Sequence, residues 1–112
     1  MANRRYCQLL LACEDVAEAD RIADALLEQY LIVCAKQIPV AAKYWWKDKL
    51  ESANEVQLVM ESAEDLFDAV EREVAKLHSY DTFALQMISL GKVSHKAQAW
   101  MDQNLAKGSP VK

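Results

Sequence analysis

The segment Tyr6-Cys7-Gln8-Leu9-Leu10-Leu11-Ala12-Cys13 is apolar at every position except Gln8, and it narrows the available folds more than any other stretch of the chain. It is too short for an independent helix and far short of the ~20 residues that a membrane span requires. A β-strand covered on both faces, or placed centrally in its sheet, accounts for the pattern. The rest of the chain must then supply neighbours for a central strand.

The segments that follow supply them in a regular order. Asp15 offers an N-cap with Glu18 three residues on, and Ala19, Ile22, Ala23, Leu26 and Tyr30 recur at helical spacing, which predicts a helix from about Val16 to Tyr30. From Leu31 through Ala35, Ile38, Pro39, Val40 and Tyr44 to Trp45 and Trp46 the chain reads as a long second strand. Pro39 has no N–H to give a ladder and marks a bulge or an edge-facing position. The polar residues Lys47, Asp48 and Lys49, with Ser52 to Asn54, suit the turn of a hairpin. Glu55 to Glu61 then alternates, with Val56, Leu58 and Met60 on one face of a third strand. Ser62 with Asp65 repeats the capping signature before a second helix striped by Leu66, Phe67, Val70, Val74 and Leu77. Glu64 and Asp65 begin that helix and Lys76 and His78 finish it, charges that complement its dipole. Thr82 to Leu90 reads as a fourth strand ended by Gly91, and Ser94 caps a last helix whose stripe of Ala97, Trp100, Met101 and Leu105 faces the core. Residues 106–112 read as a frayed tail.

The order β, α, β, β, α, β with a closing helix is the split βαβ pattern called ferredoxin-like, an α+β fold with an antiparallel sheet and both helices on one face. Residues 1–112 are expected to form one domain, long enough to bury roughly two-thirds of the unfolded surface. A composition that is 53% hydrophobic and 27% charged, with two glycines and two prolines, excludes disordered and collagen-like classes. Because the first and fourth strands are apolar at nearly every position, the helix-free face of the sheet needs a cover, and a second copy of the chain is the simplest one.

Charge and cysteine usage exclude several functions. A net charge of -4 and a pI near 5.1 work against phosphate-backbone binding, so no nucleic-acid partner is expected. No segment is long enough to span a membrane, and Arg4-Arg5 before the apolar run lacks a following cleavage-like stretch, so a cytoplasmic protein with no membrane association is expected. Cys7, Cys13 and Cys34 sit in apolar segments, form no paired motif and suit a reducing compartment.

Five fragments carry a resemblance: Val33-Cys34-Ala35-Lys36-Gln37-Ile38-Pro39, Trp46-Lys47-Asp48-Lys49, Glu55-Val56, His78-Ser79-Tyr80-Asp81 and Trp100-Met101. In order and spacing, from about Tyr6 to Leu105, they resemble the CutA divalent-cation tolerance family. The resemblance implies a ferredoxin-like homotrimer, similar to the PII signalling proteins, in which the long hairpin reaches into the neighbouring subunit. It also implies a role linked to copper and other divalent metals, bound by a His-Pro-Tyr-Glu segment and a cysteine after the first strand. The chain departs from the pattern at Ser79 for the proline, Asp81 for the glutamate and Asp48 for a turn glycine. Phe83 and Ala84 also stand where a proline and an acidic or amide residue are usual. Ungapped, Leu11 falls at the family's cysteine, and Cys13, two residues on and on the same strand face, is the substitute.

The expected metal ligands are therefore His78, Asp81 and Cys13, which could share a divalent cation such as copper. The alternative for His78 is a residue of the last helical turn that interacts with exposed carbonyls and the helix dipole. Tyr44, Trp45 and Trp46, with Lys49 and Tyr80, form either a subunit interface or a ligand cleft. Adjacent tryptophans on a strand face opposite ways, so one packs in its own subunit while the other anchors a neighbour. Ser62 and Ser94 read as caps rather than nucleophiles, and no Gly-rich phosphate loop is present. The expected function is that of a non-enzymatic CutA-like homotrimer binding a divalent metal or a small anion at its clefts. One rival is a dimeric, cofactor-free oxygenase with His78, Tyr80 and Trp46 around an enclosed apolar pocket, and another is a PII-like sensor of a small effector.

Overall fold

Strand β1 (Tyr6–Cys13) occupies the interior of a four-stranded sheet, as its apolar run requires. The structure, a computed structural model, describes residues 4–105 and 107. After β1 come α1 (Val16–Glu28), β2 (Cys34–Trp46), β3 (Lys49–Ala63), a single 3-10 turn (Glu64–Leu66), α2 (Phe67–Leu77), β4 (Leu85–Ser89) and α3 (His95–Leu105). The strands are ordered β2-β3-β1-β4 and every neighbouring pair is antiparallel, which is the ferredoxin-like arrangement.

The two-residue period of a strand sorts β1 between the faces. Cys7, Leu9, Leu11 and Cys13 are fully buried, and Leu58 and Met60 of β3 lie across from Leu11 and Leu9. Ile22 and Leu26 of α1 and Val70 and Val74 of α2 complete this core, each contributing about 1.5–3 kcal/mol by leaving water. The second face carries Leu10, Ile38, Val59 and Ile88 among Gln8, Lys36, Gln57 and Gln86. At one end of it Tyr6 stands opposite Ala63, both buried, and the Tyr6 hydroxyl donates to Asp102 of α3. Beyond that end the second face is uncovered: Ile38 and Ile88 are 48% and 47% exposed.

Several boundaries differ from expectation. Helix α1 stops at Glu28 because Tyr30 turns left-handed (φ 58°), its N–H donating to the Leu27 carbonyl and that of Leu31 to Leu26. This is a Schellman cap, and it takes Leu31 and Ile32 out of the second strand, which begins at Cys34. The hairpin turn is only Lys47-Asp48, both at positive φ (50° and 65°), as a two-residue type I′ turn demands. Ser52 to Asn54, expected in that turn, extend β3 instead, pairing with Lys43 to Ala41. Pro39 sits in unbroken register opposite Val56, so there is no bulge, and β2 lodges it as an edge strand.

Ser62 is not a cap. It is buried in β3, and its hydroxyl donates to the Leu31 carbonyl at 2.6 Å, while α2 starts without any side-chain cap. Strand β4 covers only Leu85–Ser89, because Thr82 to Ala84 belong to the loop leading out of α2. Trp100 is 43% exposed rather than core, since α3 turns Met101 and Leu105, one turn apart, inward. The expected frayed tail at 106–112 falls, Lys107 apart, outside the described residues.

The long strands give the molecule its outline. A strand rises about 3.3 Å per residue, so thirteen residues in β2 and fifteen in β3 make a ribbon that outruns the helical layer. The described residues extend over 47 × 26 × 22 Å, with a radius of gyration of 14.8 Å against the ~13 Å of a compact chain this long. Both tryptophans near the tip are exposed, Trp45 at 71% and Trp46 at 43%, so neither is part of the core.

Candidate functional site

Where β1 runs into α1, three buried side chains converge. Cys13 is the last residue of β1, and its thiol is fully enclosed. Glu18 lies in the first turn of α1, three residues after the Asp15 cap, whose side chain accepts the Glu18 N–H at 2.9 Å. His78 terminates α2 in an extended conformation, which swings its imidazole away from the helix and into the interior. One ligand atom from each of Cys13, Glu18 and His78 lies within 4.8 Å of the others.

Hydrogen bonds define the state of each group. One ring nitrogen of His78, Nε2, is 2.8 Å from the Ala12 carbonyl and must donate to it, while Nδ1 accepts the Tyr80 N–H at 3.0 Å. The neutral tautomer with its proton on Nε2 satisfies both partners. The imidazole is wholly buried, lies against Phe83 at 5.4 Å between ring centroids and meets Tyr80 at 4.8 Å. This rules out a simple dipole role in the last turn, since the ring bonds β1 rather than the carbonyls of α2.

Glu18 is a buried carboxylate with two backbone donors: Glu14 N–H to Oε1 at 2.8 Å and Ser79 N–H to Oε2 at 2.5 Å. Burial alone would raise its pKa, but these donors and the nearby His78 outweigh it and hold the carboxyl below its usual range. Burial, reinforced by Glu18 and Glu55, pushes the Cys13 thiol up to about 12.

The donor set of thiol, carboxylate and imidazole suits a borderline divalent ion in type and spacing. Nδ1 lies 3.7 Å from Glu18 Oε2, and its lone pair is taken up by the Tyr80 N–H. Ligation there requires Cys13 to lose its proton and the Tyr80 N–H to release Nδ1. Binding would therefore release a proton and strengthen as pH rises.

Of the expected ligands, the structure brings Cys13 and His78 together and leaves Asp81 out. Asp81 is exposed and lines a separate cleft of about 270 Å³ with Tyr44, Trp46, Glu55, Tyr80 and Thr82. Tyr44, Trp46 and Glu55 share one face of the hairpin, and the Tyr80 hydroxyl donates to Glu55 at 2.6 Å. Trp45 faces the other way, paired with Leu50, and Lys49 pairs with Trp46 at the base of the turn; neither lines the cleft. Glu18 and Glu55 are the residues that sequence reasoning missed. Glu18 was hidden by its position in a capping signature, and Glu55 stands out only as part of the Glu55-Val56 fragment at a strand start, with no role in a site. The cleft is open and holds Tyr80 and Trp46 of the oxygenase-like alternative without His78, which bonds the Ala12 carbonyl.

The family model described as CutA1 divalent ion tolerance protein matches residues 7–104. The divalent-cation tolerance protein CutA of Archaeoglobus fulgidus is 29% identical over 97 residues, covering 87% of this chain and 95% of that relative. The CutA of Pectobacterium atrosepticum is 30% identical over 109 residues, covering 94% of this chain and 99% of its own length. Among solved structures, the periplasmic divalent cation tolerance protein CutA from Archaeoglobus fulgidus superposes with a TM-score of 0.87 at 28% identity, covering 89% of this chain and 98% of its own. CutA1 from Pyrococcus horikoshii gives 0.84 at 26% identity, with 88% and 96% covered. With the matched region running from β1 to the end of α3, the chain belongs to the CutA1 divalent ion tolerance protein family.

Proposed function

We propose that the protein is a non-enzymatic, self-associating binder of a divalent cation, with Cys13, Glu18 and His78 as the metal centre and copper as the preferred ion. The observation that carries this reading is the convergence of three donor atoms of different type within 4.8 Å on side chains buried in the interior. Copper heads the affinity order of divalent first-row metals for such mixed sulfur, nitrogen and oxygen sites. No nucleophile with an adjacent free base accompanies the triad: both nitrogens of His78 are engaged, and the Cys13 thiol is protonated at neutral pH.

Self-association is supported by the uncovered Leu10, Ile38, Val59 and Ile88 face and by the projecting hairpin with its exposed tryptophans. A homotrimer in which each hairpin covers part of a neighbouring sheet would bury Ile38, Ile88 and the Trp45 ring, the tryptophan that does not line the cleft.

The test is a thermal unfolding series with Cu²⁺, Zn²⁺ and Ni²⁺ at pH 6 and pH 8. Metal at 100 times its dissociation constant adds about 2.7 kcal/mol of stability. We expect a shift with copper that grows from pH 6 to pH 8 and vanishes in Cys13→Ser. No shift with any of the three ions, or an undiminished shift in the variant, would sink the assignment.

A further inference from the structure

We infer that the cleft beside the hairpin is a binding site for a small organic cation of the alkylammonium class, separate from the metal centre. Its walls are the aromatic rings of Tyr44 and Trp46, two positions apart on β2 and so on one face, and its acidic groups are Glu55 and Asp81. Tyr80 braces Glu55 through its hydroxyl at 2.6 Å, which fixes one carboxylate and leaves it with a further oxygen to accept from a ligand. Among the described residues no lysine, arginine or histidine forms an ion pair with Glu55 or Asp81. Neither carboxylate is thus tied up in an ion pair among these residues.

Two further observations set the ligand's chemistry. The Trp46 ring already receives a cation: Lys47 Nζ sits 5.6 Å from its centroid, the geometry of a cation–π contact. Glu14 adds its charge near the Tyr80 hydroxyl, so the surroundings repel a phosphate or carboxylate ligand. A volume of about 270 Å³ lies below the ~300–1,000 Å³ of drug-sized sites, which limits the ligand to a few carbons around one charge. Aromatic faces with neighbouring carboxylates are the arrangement by which proteins hold quaternary ammonium groups.

The experiment is calorimetric titration of the assembled protein, in EDTA, with choline and with its neutral isostere 3,3-dimethyl-1-butanol. Choline should bind measurably and the isostere at least tenfold more weakly, with affinity lost by about tenfold in Trp46→Ala and in Glu55→Gln. Asp81→Asn, on an exposed residue, should weaken binding without altering the fold, which circular dichroism checks. Cys13→Ser should leave choline binding intact, so this inference and the metal assignment fail separately. No heat with choline at 10-millimolar scale, equal binding of the neutral isostere, unchanged affinity in all three cleft variants, or preferential binding of inorganic phosphate would each overturn it.

Discussion

Glu18 illustrates how one residue can serve several purposes. At the N-terminal turn of α1 its carboxylate lies near the positive end of the helix dipole, accepts the Glu14 N–H, and ties α1 to the loop leading out of α2 through Ser79. A glutamine keeps the shape but has one acceptor oxygen for two N–H donors, so Glu18→Gln should cost about 1–3 kcal/mol at pH 7. Because the folded carboxyl is held below its ordinary value, its contribution is present above the unfolded pKa of about 4.3 and is lost as pH falls through the lower folded value. Urea unfolding at pH 7 and pH 3 checks both points: the gap between wild type and variant should shrink at pH 3. An equal gap at both values would show that the carboxylate charge is not what stabilises the contact.

At the level of elements, the ends of helices and strands carry the strain. Tyr30 holds a left-handed conformation that costs a non-glycine residue about 1–2 kcal/mol, in a Schellman cap where glycine is usual. Tyr30→Gly should relieve that strain while adding disorder to the unfolded chain, a net gain of about 0.5 kcal/mol. A rise in urea midpoint at constant slope would bear this out, and a fall would mean that the ring's contact with Lys107, 5.9 Å away, matters more than the backbone. The Lys47-Asp48 turn has the same character, with two left-handed residues and no glycine, yet it holds the register that places Tyr44, Trp46 and Glu55 on one face.

For the whole molecule, the uncovered sheet face and the free hairpin pose one problem. Ile38 lies on that face, 48% exposed, on the edge strand β2. Ile38→Lys should leave the protomer folded, since the side chain is outside the core, and should break self-association by placing a charge in a desolvated contact. Light scattering should report a multiple of the 12.7 kDa chain mass for the wild type and a smaller species for the variant. A wild type that scatters as a single chain at micromolar concentration would defeat the proposed assembly.

Periodicity and capping residues by themselves determined the order of elements, the antiparallel α+β class and most of the core, because those depend on which side chains of one segment avoid water together. The alternation Val56, Leu58, Met60 and the stripe Ile22, Leu26 needed no partner to be legible. Fragments spread from Val33 to Met101 pointed to the family. Tertiary structure decided the rest. Ser62 looks like a cap in isolation and becomes a buried strand residue once Leu31 offers it a carbonyl. Asp81, three residues from His78, looks like its neighbour in a site, yet it lines the hairpin cleft, and Glu18, 60 positions from His78 in sequence, is the carboxylate that lies beside Cys13 and His78. Local pattern reports which face a residue prefers; which residues from distant segments meet there depends on how the chain returns across the sheet.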